Sequence, residues 1–159
     1  MTLAQQAVKQ LKARHKTLVT AESCTGGWIA KRITDIAGAS EVFECGIVCY
    51  SNRIKTELLG VRKETLAEFG AVSEQTAREM ALGALDVSKA DVAVAVTGIA
   101  GPDSDNTGKP VGLVYIAVAD RTRVEVHEYR NHFADNVRDN NRRASADNAL
   151  AALGRFLNT

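Results

Sequence analysis

The stretch Thr17-Leu18-Val19-Thr20-Ala21-Glu22-Ser23-Cys24-Thr25-Gly26-Gly27 decides the fold that the sequence predicts. Its first half is apolar and rich in residues that favour strands. Apolar residues then recur at helical spacing, at Trp28, Ile29, Ile33 and Ile36. The pattern therefore predicts a strand, a tight turn of small and hydroxyl residues, and a helix.

This turn has the properties of a site for acyl transfer. Backbone N–H groups at a helix start are unpaired, carry partial positive charge and favour an anion. Gly26 and Gly27 allow a ligand to approach the backbone closely. A serine such as Ser23 can attack a carbonyl carbon while nearby N–H groups stabilise the oxyanion. The alternative is that Ser23 or Thr25 simply caps the helix, which is the common use of hydroxyl residues there.

Length and composition are those of an ordinary globular domain. With 159 residues, 45% of them hydrophobic and 25% charged, the chain can form one domain with a substantial core. A formal net charge of +1 gives no electrostatic reason to expect nucleic acid or an anionic membrane as a partner. Apolar runs stay well below the roughly 20 residues of a membrane helix, and residues 1–15 lack a signal-peptide core. We therefore expect a cytoplasmic protein.

The three cysteines, Cys24, Cys45 and Cys49, are expected to be buried free thiols. An odd number in a chain without a secretion signal argues against a disulfide framework. The histidines show no metal-ligand spacing with these cysteines, so we expect no metal site.

A second strand, Phe43 to Tyr50, leads to a lysine in an unusual position. Ser51 is suited to cap a helix from Asn52 to about Leu59, which places Lys55 in its first turn. The positive end of the helix dipole disfavours an ammonium group there, and burial acts in the same direction. Such a lysine is suited to act as a base. The alternative is an ordinary solvated lysine.

A third strand, Asp91 to Thr97, has the small and β-branched composition of a central strand that is covered on both faces. A polar loop follows from Gly98 to Pro110, and loops of this length are usually functional or mobile. In open α/β sheets, the loops at the carboxyl ends of the strands carry the ligand site. We therefore expect this loop to meet the Ser23 turn and the segment that contains Tyr50 and Lys55.

The remaining pattern predicts one α/β domain over residues 1–159, with helices on both sides of a mixed sheet in three layers. Two alternating strands, Val111 to Ala119 and Arg123 to His132, indicate an antiparallel hairpin. The other predicted helices are Leu3–Arg14, Lys63–Phe69, Glu74–Lys89 and Asp135–Leu157. Without a histidine near Ser23 in this arrangement, a Ser-His-Asp triad is disfavoured. Lys55 is the remaining base, and the Tyr50 hydroxyl is a possible proton relay.

Several motifs in register resemble one family. They are Thr20–Gly27, Tyr50-Ser51-Asn52 with Lys55, Gly70–Glu74, Thr97–Pro102 and Lys109–Gly112. Together they closely resemble the CinA C-terminal domain family, the nicotinamide-nucleotide amidases, from about residue 4 to residue 157. The resemblance implies hydrolysis of nicotinamide mononucleotide (NMN) to nicotinate mononucleotide and ammonia, in pyridine nucleotide recycling, without metal or cofactor.

The resemblance also implies roles for individual residues. The family's catalytic Ser-Tyr-Lys trio falls on Ser23, Tyr50 and Lys55, and its substrate-binding loop resembles Thr97 to Gly101. The expected substrate-binding residues are Thr25, Gly26, Gly27, Thr97, Gly98, Gly101, Arg138 and Arg142. Lys55 is expected to take the Ser23 proton, directly or through Tyr50, while N–H groups of the turn stabilise the oxyanion.

The chain departs from the family pattern in two places. Longer members carry an additional N-terminal domain, and this chain resembles the stand-alone form. Members often have Phe-x-Gly-Asp-Arg before the last helix, followed by a further arginine, whereas the stretch Phe133–Arg142 lacks the glycine. Arg138 and Arg142 are the best matches to these arginines, and an arginine is suited to bind the substrate phosphate.

Two other functions remain compatible with the sequence. The altered arginine motif favours a weakly active or non-catalytic protein that binds a pyridine nucleotide, although the intact Ser23, Tyr50 and Lys55 argue against it. An amidase for a related small amide is the other alternative. We expect a small nucleotide as the substrate and, from the frequency of symmetric oligomers, a homodimer or higher homo-oligomer.

Overall fold

The computed structural model describes residues 1–159 and contains seven helices and five strands. The helices are α1 (Leu3–Ala13), α2 (Trp28–Thr34), a 3-10 turn α3 (Ala39–Glu41), α4 (Asn52–Leu59), α5 (Lys63–Phe69), α6 (Glu74–Ser88) and α7 (Val137–Leu157). The strands are β1 (Leu18–Glu22), β2 (Phe43–Val48), β3 (Val92–Gly98), β4 (Leu113–Ala119) and β5 (Val124–Arg130). The predicted element types are confirmed, with shifts of a few residues at their ends.

The five strands form one mixed sheet in the order β2-β1-β3-β4-β5. The strand β1 pairs in parallel with both β2 and β3, whereas β4 runs antiparallel to β3 and β5. The predicted hairpin and the central position of β3 are confirmed. The order of the strands could not be predicted from local sequence patterns, because it depends on contacts between segments that are distant in the chain.

Two helical layers cover the sheet, as the predicted three-layer class requires. The first core lies between one face of the sheet and the helices α1, α2 and α7. The second lies between the other face and α6, with a contribution from the end of α4. The face of α6 that packs on the sheet consists of apolar residues at helical spacing, and all of them are buried: Ala77, Met80, Ala81, Ala84 and Leu85.

The connections place three loops at one edge of the sheet. The chain passes from β1 to β2 through α2 on one face, and from β2 to β3 through α6 on the other. Because the three strands are parallel, their carboxyl ends meet where the strand order reverses, which is the usual position of a ligand site in such sheets. Ser23, Tyr50 and the loop after Gly98 all lie at this edge.

The helix α2 is shorter than predicted. The apolar pattern that predicts it extends to Ile36, but the helix ends at Thr34, and Gly38 precedes the short turn α3. None of the helices in the structure combines the length and the apolar character needed to span a membrane.

Candidate active site

Ser23 is the first residue after β1, and the sheet fixes its position. Its N–H donates to the carbonyl oxygen of Val96 on β3, at 3.0 Å. The residue is 8% exposed, so its hydroxyl lies in a mostly dry environment at the carboxyl edge of the sheet. The main chain of Ser23 is therefore held against β3, while its side chain is available to other groups.

The side chain of Lys55 reaches this hydroxyl. Ser51 caps α4 as predicted, with its Oγ accepting from the N–H of Ile54 at 3.2 Å. Lys55 is 1% exposed, so the alternative of a solvated lysine is wrong. Its Nζ lies 3.0 Å from Ser23 Oγ and 3.0 Å from the carbonyl oxygen of Tyr50.

The environment of Lys55 favours its neutral form. Burial lowers the pKa of Lys55 below its usual value of 10.5, and the thiols of Cys49 and Cys24 oppose that shift. A neutral amine in contact with a serine hydroxyl has the arrangement of a general base and its nucleophile.

Tyr50 lies beside this pair, but its hydroxyl points elsewhere. The hydroxyl oxygen accepts a hydrogen bond from Nη2 of Arg138 at 3.0 Å, and the residue is 60% exposed. It is the main-chain carbonyl of Tyr50 that contacts Lys55. Lys55 therefore contacts Ser23 directly, without the tyrosine hydroxyl between them.

The start of α2 is capped by Glu22, and neither Ser23 nor Thr25 plays that role. The buried Glu22 carboxylate accepts from the N–H groups of Ile29 and Ala30, each at 2.9 Å, and from the Thr25 hydroxyl at 2.7 Å. The prediction that Ser23 or Thr25 caps the helix was wrong, because the longer side chain of Glu22, at the end of β1, reaches these amides. Because the N–H groups of Ile29 and Ala30 are occupied by Glu22, they are not available to bind a ligand anion.

Free amides remain in the turn itself. The N–H of Ser23 donates to Val96, and the N–H of Gly26 donates to the carbonyl oxygen of Ser23 at 3.1 Å. The N–H groups of Cys24 and Thr25 donate to no main-chain or side-chain oxygen, and Cys24 lines the same cleft as Ser23 and Lys55. The Cys24 amide, which directly follows the serine, is thus the best-placed oxyanion donor.

The Ser23 cleft has a volume of about 530 Å³ and is lined by all three predicted loops. Residues 103–107 belong to the third of these loops, and the lining also includes Leu66, residues 70–72 and Arg138. Of the residues expected to bind substrate, four line this cleft: Thr97, Gly98, Gly101 and Arg138. The other four lie outside its lining: Thr25, Gly26, Gly27 and Arg142.

The walls of the cleft are fixed by hydrogen bonds from two side chains, Thr97 and Lys109, that the sequence pattern did not reveal. The Thr97 hydroxyl donates to the carbonyl oxygen of Ala71 at 2.8 Å. The Lys109 Nζ donates to the carbonyl oxygens of Phe69 and Val72, each at 2.6 Å, and so joins the long loop to the end of α5. Thr97 therefore shapes the cleft as well as lining it. No local pattern indicated that Lys109 would hold the same wall of the cleft.

Arg138 reaches the cleft despite the altered arginine motif. Asn136, which precedes α7, has φ 43°, a left-handed conformation that glycine favours and asparagine tolerates. The Nη1 of Arg138 donates to the carbonyl oxygen of Gly101 at 2.8 Å, beside the contact with Tyr50. Asn136 thus adopts the left-handed conformation that this turn requires, and Arg138 still reaches the cleft.

The cysteines are free thiols, as predicted, with Cys24 and Cys49 buried and Cys45 half-buried. Burial raises the pKa of Cys24 to about 11 and also raises the pKa of Cys49. The thiol next to Ser23 is therefore protonated near neutral pH and is a poor nucleophile.

Comparison with known proteins gives one consistent result. The family model of the CinA C-terminal domain matches residues 1–157. The chain is 52% identical over 153 residues to the nicotinamide-nucleotide amidohydrolase PncC of Shigella flexneri, covering 96% of this chain and 92% of that protein. It is 58% identical over 119 residues to PncC of Escherichia coli K12, covering 75% and 72%.

Solved structures agree with this result. The competence/damage inducible protein CihA of Agrobacterium tumefaciens is 47% identical, with a TM-score of 0.91 and coverage of 99% of this chain and 94% of that one. A CinA superfamily protein of Klebsiella pneumoniae is 36% identical, with a TM-score of 0.93 and coverage of 98% and 95%. The chain therefore belongs to the CinA C-terminal domain family.

Proposed function

We propose that the chain is a nicotinamide-nucleotide amidohydrolase that converts NMN to nicotinate mononucleotide and ammonia, in pyridine nucleotide recycling. Relatives that carry this name match it at 52% and 58% identity. The observation that carries the proposal is the contact between the Nζ of buried Lys55 and the Oγ of Ser23. A serine with a lysine base is an established arrangement for acyl transfer.

In the acylation step, neutral Lys55 takes the Ser23 proton while the Oγ attacks the carboxamide carbon. The carbonyl oxygen becomes an oxyanion, which the Cys24 N–H stabilises. Removing one oxyanion donor lowers kcat by about 10²–10³-fold in a comparable site, so the geometry of this turn matters as much as the base. Protonated Lys55 then gives its proton to the leaving nitrogen, the C–N bond breaks, and ammonia departs.

In the deacylation step, a water molecule attacks the ester that links Ser23 to the nicotinoyl group. Lys55 takes a proton from this water and returns it to Ser23 Oγ as the ester bond breaks. The product is a carboxylate and the enzyme is regenerated. The carbonyl of Tyr50, which accepts from Lys55 in the structure, keeps the amine oriented through both steps.

Arg138 is the residue that we propose to bind the substrate phosphate. It is exposed at the cleft, and both groups that it contacts, the Gly101 carbonyl and the Tyr50 hydroxyl, are uncharged. A phosphate forms stronger, charge-assisted hydrogen bonds with a guanidinium than these acceptors do. Binding there fixes the phosphate at the exposed end of the cleft and directs the carboxamide toward Ser23.

The test is a substrate panel with the purified protein. NMN, nicotinamide riboside, nicotinamide and a set of unrelated primary amides are incubated separately, and both ammonia and the carboxylate product are measured. We expect turnover of NMN, weaker or no turnover of the riboside, and a KM for NMN about 10–100-fold higher in Arg138→Gln. Preferential turnover of another amide would identify a different amidase. NMN binding without turnover of any amide would identify a non-catalytic binding protein.

A further inference from the structure

Arg142 lies behind the nucleophile turn, on the side away from the Ser23 cleft. Its Nε donates to the carbonyl oxygen of Cys24 at 3.0 Å, and its Nη2 donates to that of Thr25 at 3.2 Å. Its guanidinium also lies 5.2 Å from the ring centre of Trp28. The residue that the arginine motif led us to expect on the substrate phosphate therefore contacts main-chain carbonyl groups.

These contacts begin a chain of hydrogen-bonded peptide groups that ends in the cleft. The Thr25 carbonyl accepts from Arg142 and belongs to the same peptide group as the Gly26 N–H. The Gly26 N–H donates to the Ser23 carbonyl, which belongs to the same peptide group as the free Cys24 N–H. The charge of Arg142 is thus linked through two peptide groups to the amide that is best placed to bind the oxyanion.

The second contact of Arg142 acts on the free amide of Thr25. The Cys24 carbonyl, which accepts from Nε, shares a peptide group with the Thr25 N–H. Peptide groups joined by hydrogen bonds polarise one another, and a cationic donor at one end increases that effect. The Cys24 and Thr25 N–H groups therefore both belong to peptides that Arg142 polarises, whereas the Gly27 N–H, which is also unpaired, belongs to a peptide group that Arg142 does not contact.

Glu22 stabilises the same turn from a different direction. It accepts from the Thr25 hydroxyl and from the first free amides of α2. The orientation of residue 25 is thereby fixed at its side chain by Glu22 and at its carbonyl by Arg142. A turn held at both points has its amides in place before any charge develops, which is the condition for strong oxyanion stabilisation.

We propose that Arg142 is a positioning residue, which orients and polarises the Cys24 amide through the peptide chain and so strengthens the oxyanion site. This inference rests on the proposed function, because it takes Ser23 as the nucleophile. It predicts that Arg142 contributes to kcat and hardly to the binding of NMN. A residue that bound the substrate phosphate would contribute mainly to KM.

The chain offers a matched control in Arg143. This residue follows Arg142 on α7 and also lies over Trp28, 4.9 Å from the ring centre. Its guanidinium contacts Asp139 at 2.8 Å and makes no hydrogen bond with the nucleophile turn. Arg143→Ala therefore also removes one positive charge and one arginine–Trp28 contact from α7, but it leaves the hydrogen bonds between Arg142 and the turn intact.

The experiment compares Arg142→Ala, Arg142→Lys and Arg143→Ala with the wild type. We expect Arg142→Ala to lower kcat for NMN by about 10–100-fold, somewhat less than the loss of a whole oxyanion donor, with KM unchanged within about 3-fold. Millimolar guanidinium should restore part of the lost kcat, whereas sodium chloride at equal ionic strength should not. The kcat of Arg142→Lys should lie between those of the wild type and Arg142→Ala, because lysine keeps the charge but cannot make both hydrogen bonds of the guanidinium. Arg143→Ala should keep wild-type kcat.

A second readout separates this inference from the proposed function. A fluorophosphonate probe phosphonylates an activated serine with loss of fluoride, and negative charge develops on its phosphoryl oxygen in the oxyanion site during this reaction. The labelling rate of Ser23 therefore reports on that site without NMN. We expect slower labelling in Arg142→Ala than in Arg143→Ala. If wild-type protein is labelled at Ser23 but releases no ammonia from NMN, the proposed substrate is wrong and this comparison still decides the role of Arg142.

Several results would overturn the inference. They are a raised KM with unchanged kcat in Arg142→Ala, equal losses in the Arg142 and Arg143 variants, and labelling rates that do not differ. Absence of Ser23 labelling in the wild type would overturn it as well. If Arg142→Ala does not fold, as judged by circular dichroism, the same criteria apply to Arg142→Lys.

Discussion

The Nζ of Lys55 and the Oγ of Ser23 lie 3.0 Å apart, although 32 residues separate them in the chain. The contact joins the loop after β1 to the helix after β2, and parallel pairing of these strands brings both loops to one edge. Both side chains are buried. The pair therefore joins a serine hydroxyl to an amine whose neutral form the protein favours, which is the arrangement that the proposed mechanism uses.

The first prediction concerns the pH dependence of catalysis. Because burial lowers the pKa of Lys55, kcat/KM for NMN should rise with pH as the amine loses its proton, with a midpoint below 10.5. Ammonia release measured across neutral and alkaline pH gives this profile. Lys55→Arg should be inactive throughout, because arginine stays protonated. Activity that is independent of pH across this range would argue against a lysine base.

The second prediction concerns stability. Because the folded protein lowers the pKa of Lys55, unfolding takes up a proton between that lowered value and 10.5. Lys55 therefore makes the free energy of unfolding of the wild type rise with pH between the lowered pKa and 10.5. Below the lowered pKa, the contribution of Lys55 stays at its low value. Methionine at position 55 carries no titrating group. The melting temperature of Lys55→Met minus that of the wild type should therefore increase as pH falls from 10.5, and it should become constant below the lowered pKa of Lys55.

Thermal melts at several pH values test this expectation. The matched control is Lys63→Met, because Lys63 is exposed at the start of the next helix. A melting-temperature difference for Lys55→Met that does not change with pH would contradict the lowered pKa.

The third prediction concerns Glu22. Glu22→Ala leaves two helix amides and the Thr25 hydroxyl without their acceptor, which should lower the free energy of unfolding by about 2–4 kcal/mol. Urea denaturation measures this change. Glu44→Ala, at an exposed position on the neighbouring strand, is the control and should change stability by less than about 0.5 kcal/mol. Equal effects of the two substitutions would show that Glu22 does not stabilise the turn.

Glu22 also illustrates the limit of the sequence analysis. The start of α2, the glycines of the turn and the loops that line the cleft were predicted from local patterns, and the cap at Ser51 was confirmed. A cap supplied from seven and eight residues before the amides does not follow the usual spacing, and so Glu22 was missed. Arg142 contacts carbonyls 118 and 117 residues away, and such contacts depend on how α7 packs.

The fourth prediction separates the two polar groups of Tyr50. Tyr50→Phe removes the hydroxyl that contacts Arg138 but keeps the carbonyl that accepts from Lys55. We expect it to lower kcat/KM by about 5-fold, the size of one neutral hydrogen bond. Lys55→Met should lower it by about 10²–10⁴-fold, as expected for loss of a general base. Steady-state kinetics with NMN compares the two. A loss in Tyr50→Phe as large as that in Lys55→Met would show that the hydroxyl relays the proton.

Ammonia release from NMN by the wild type, Ser23→Ala and Lys55→Met tests the central claim most directly. Each protein is first shown to be folded by circular dichroism, and nicotinate mononucleotide is quantified alongside ammonia. We expect equal amounts of the two products from the wild type, and rates at least about 100-fold lower from both variants. Ammonia release at the wild-type rate from folded Ser23→Ala or Lys55→Met would contradict the assignment of Ser23 as nucleophile and Lys55 as base.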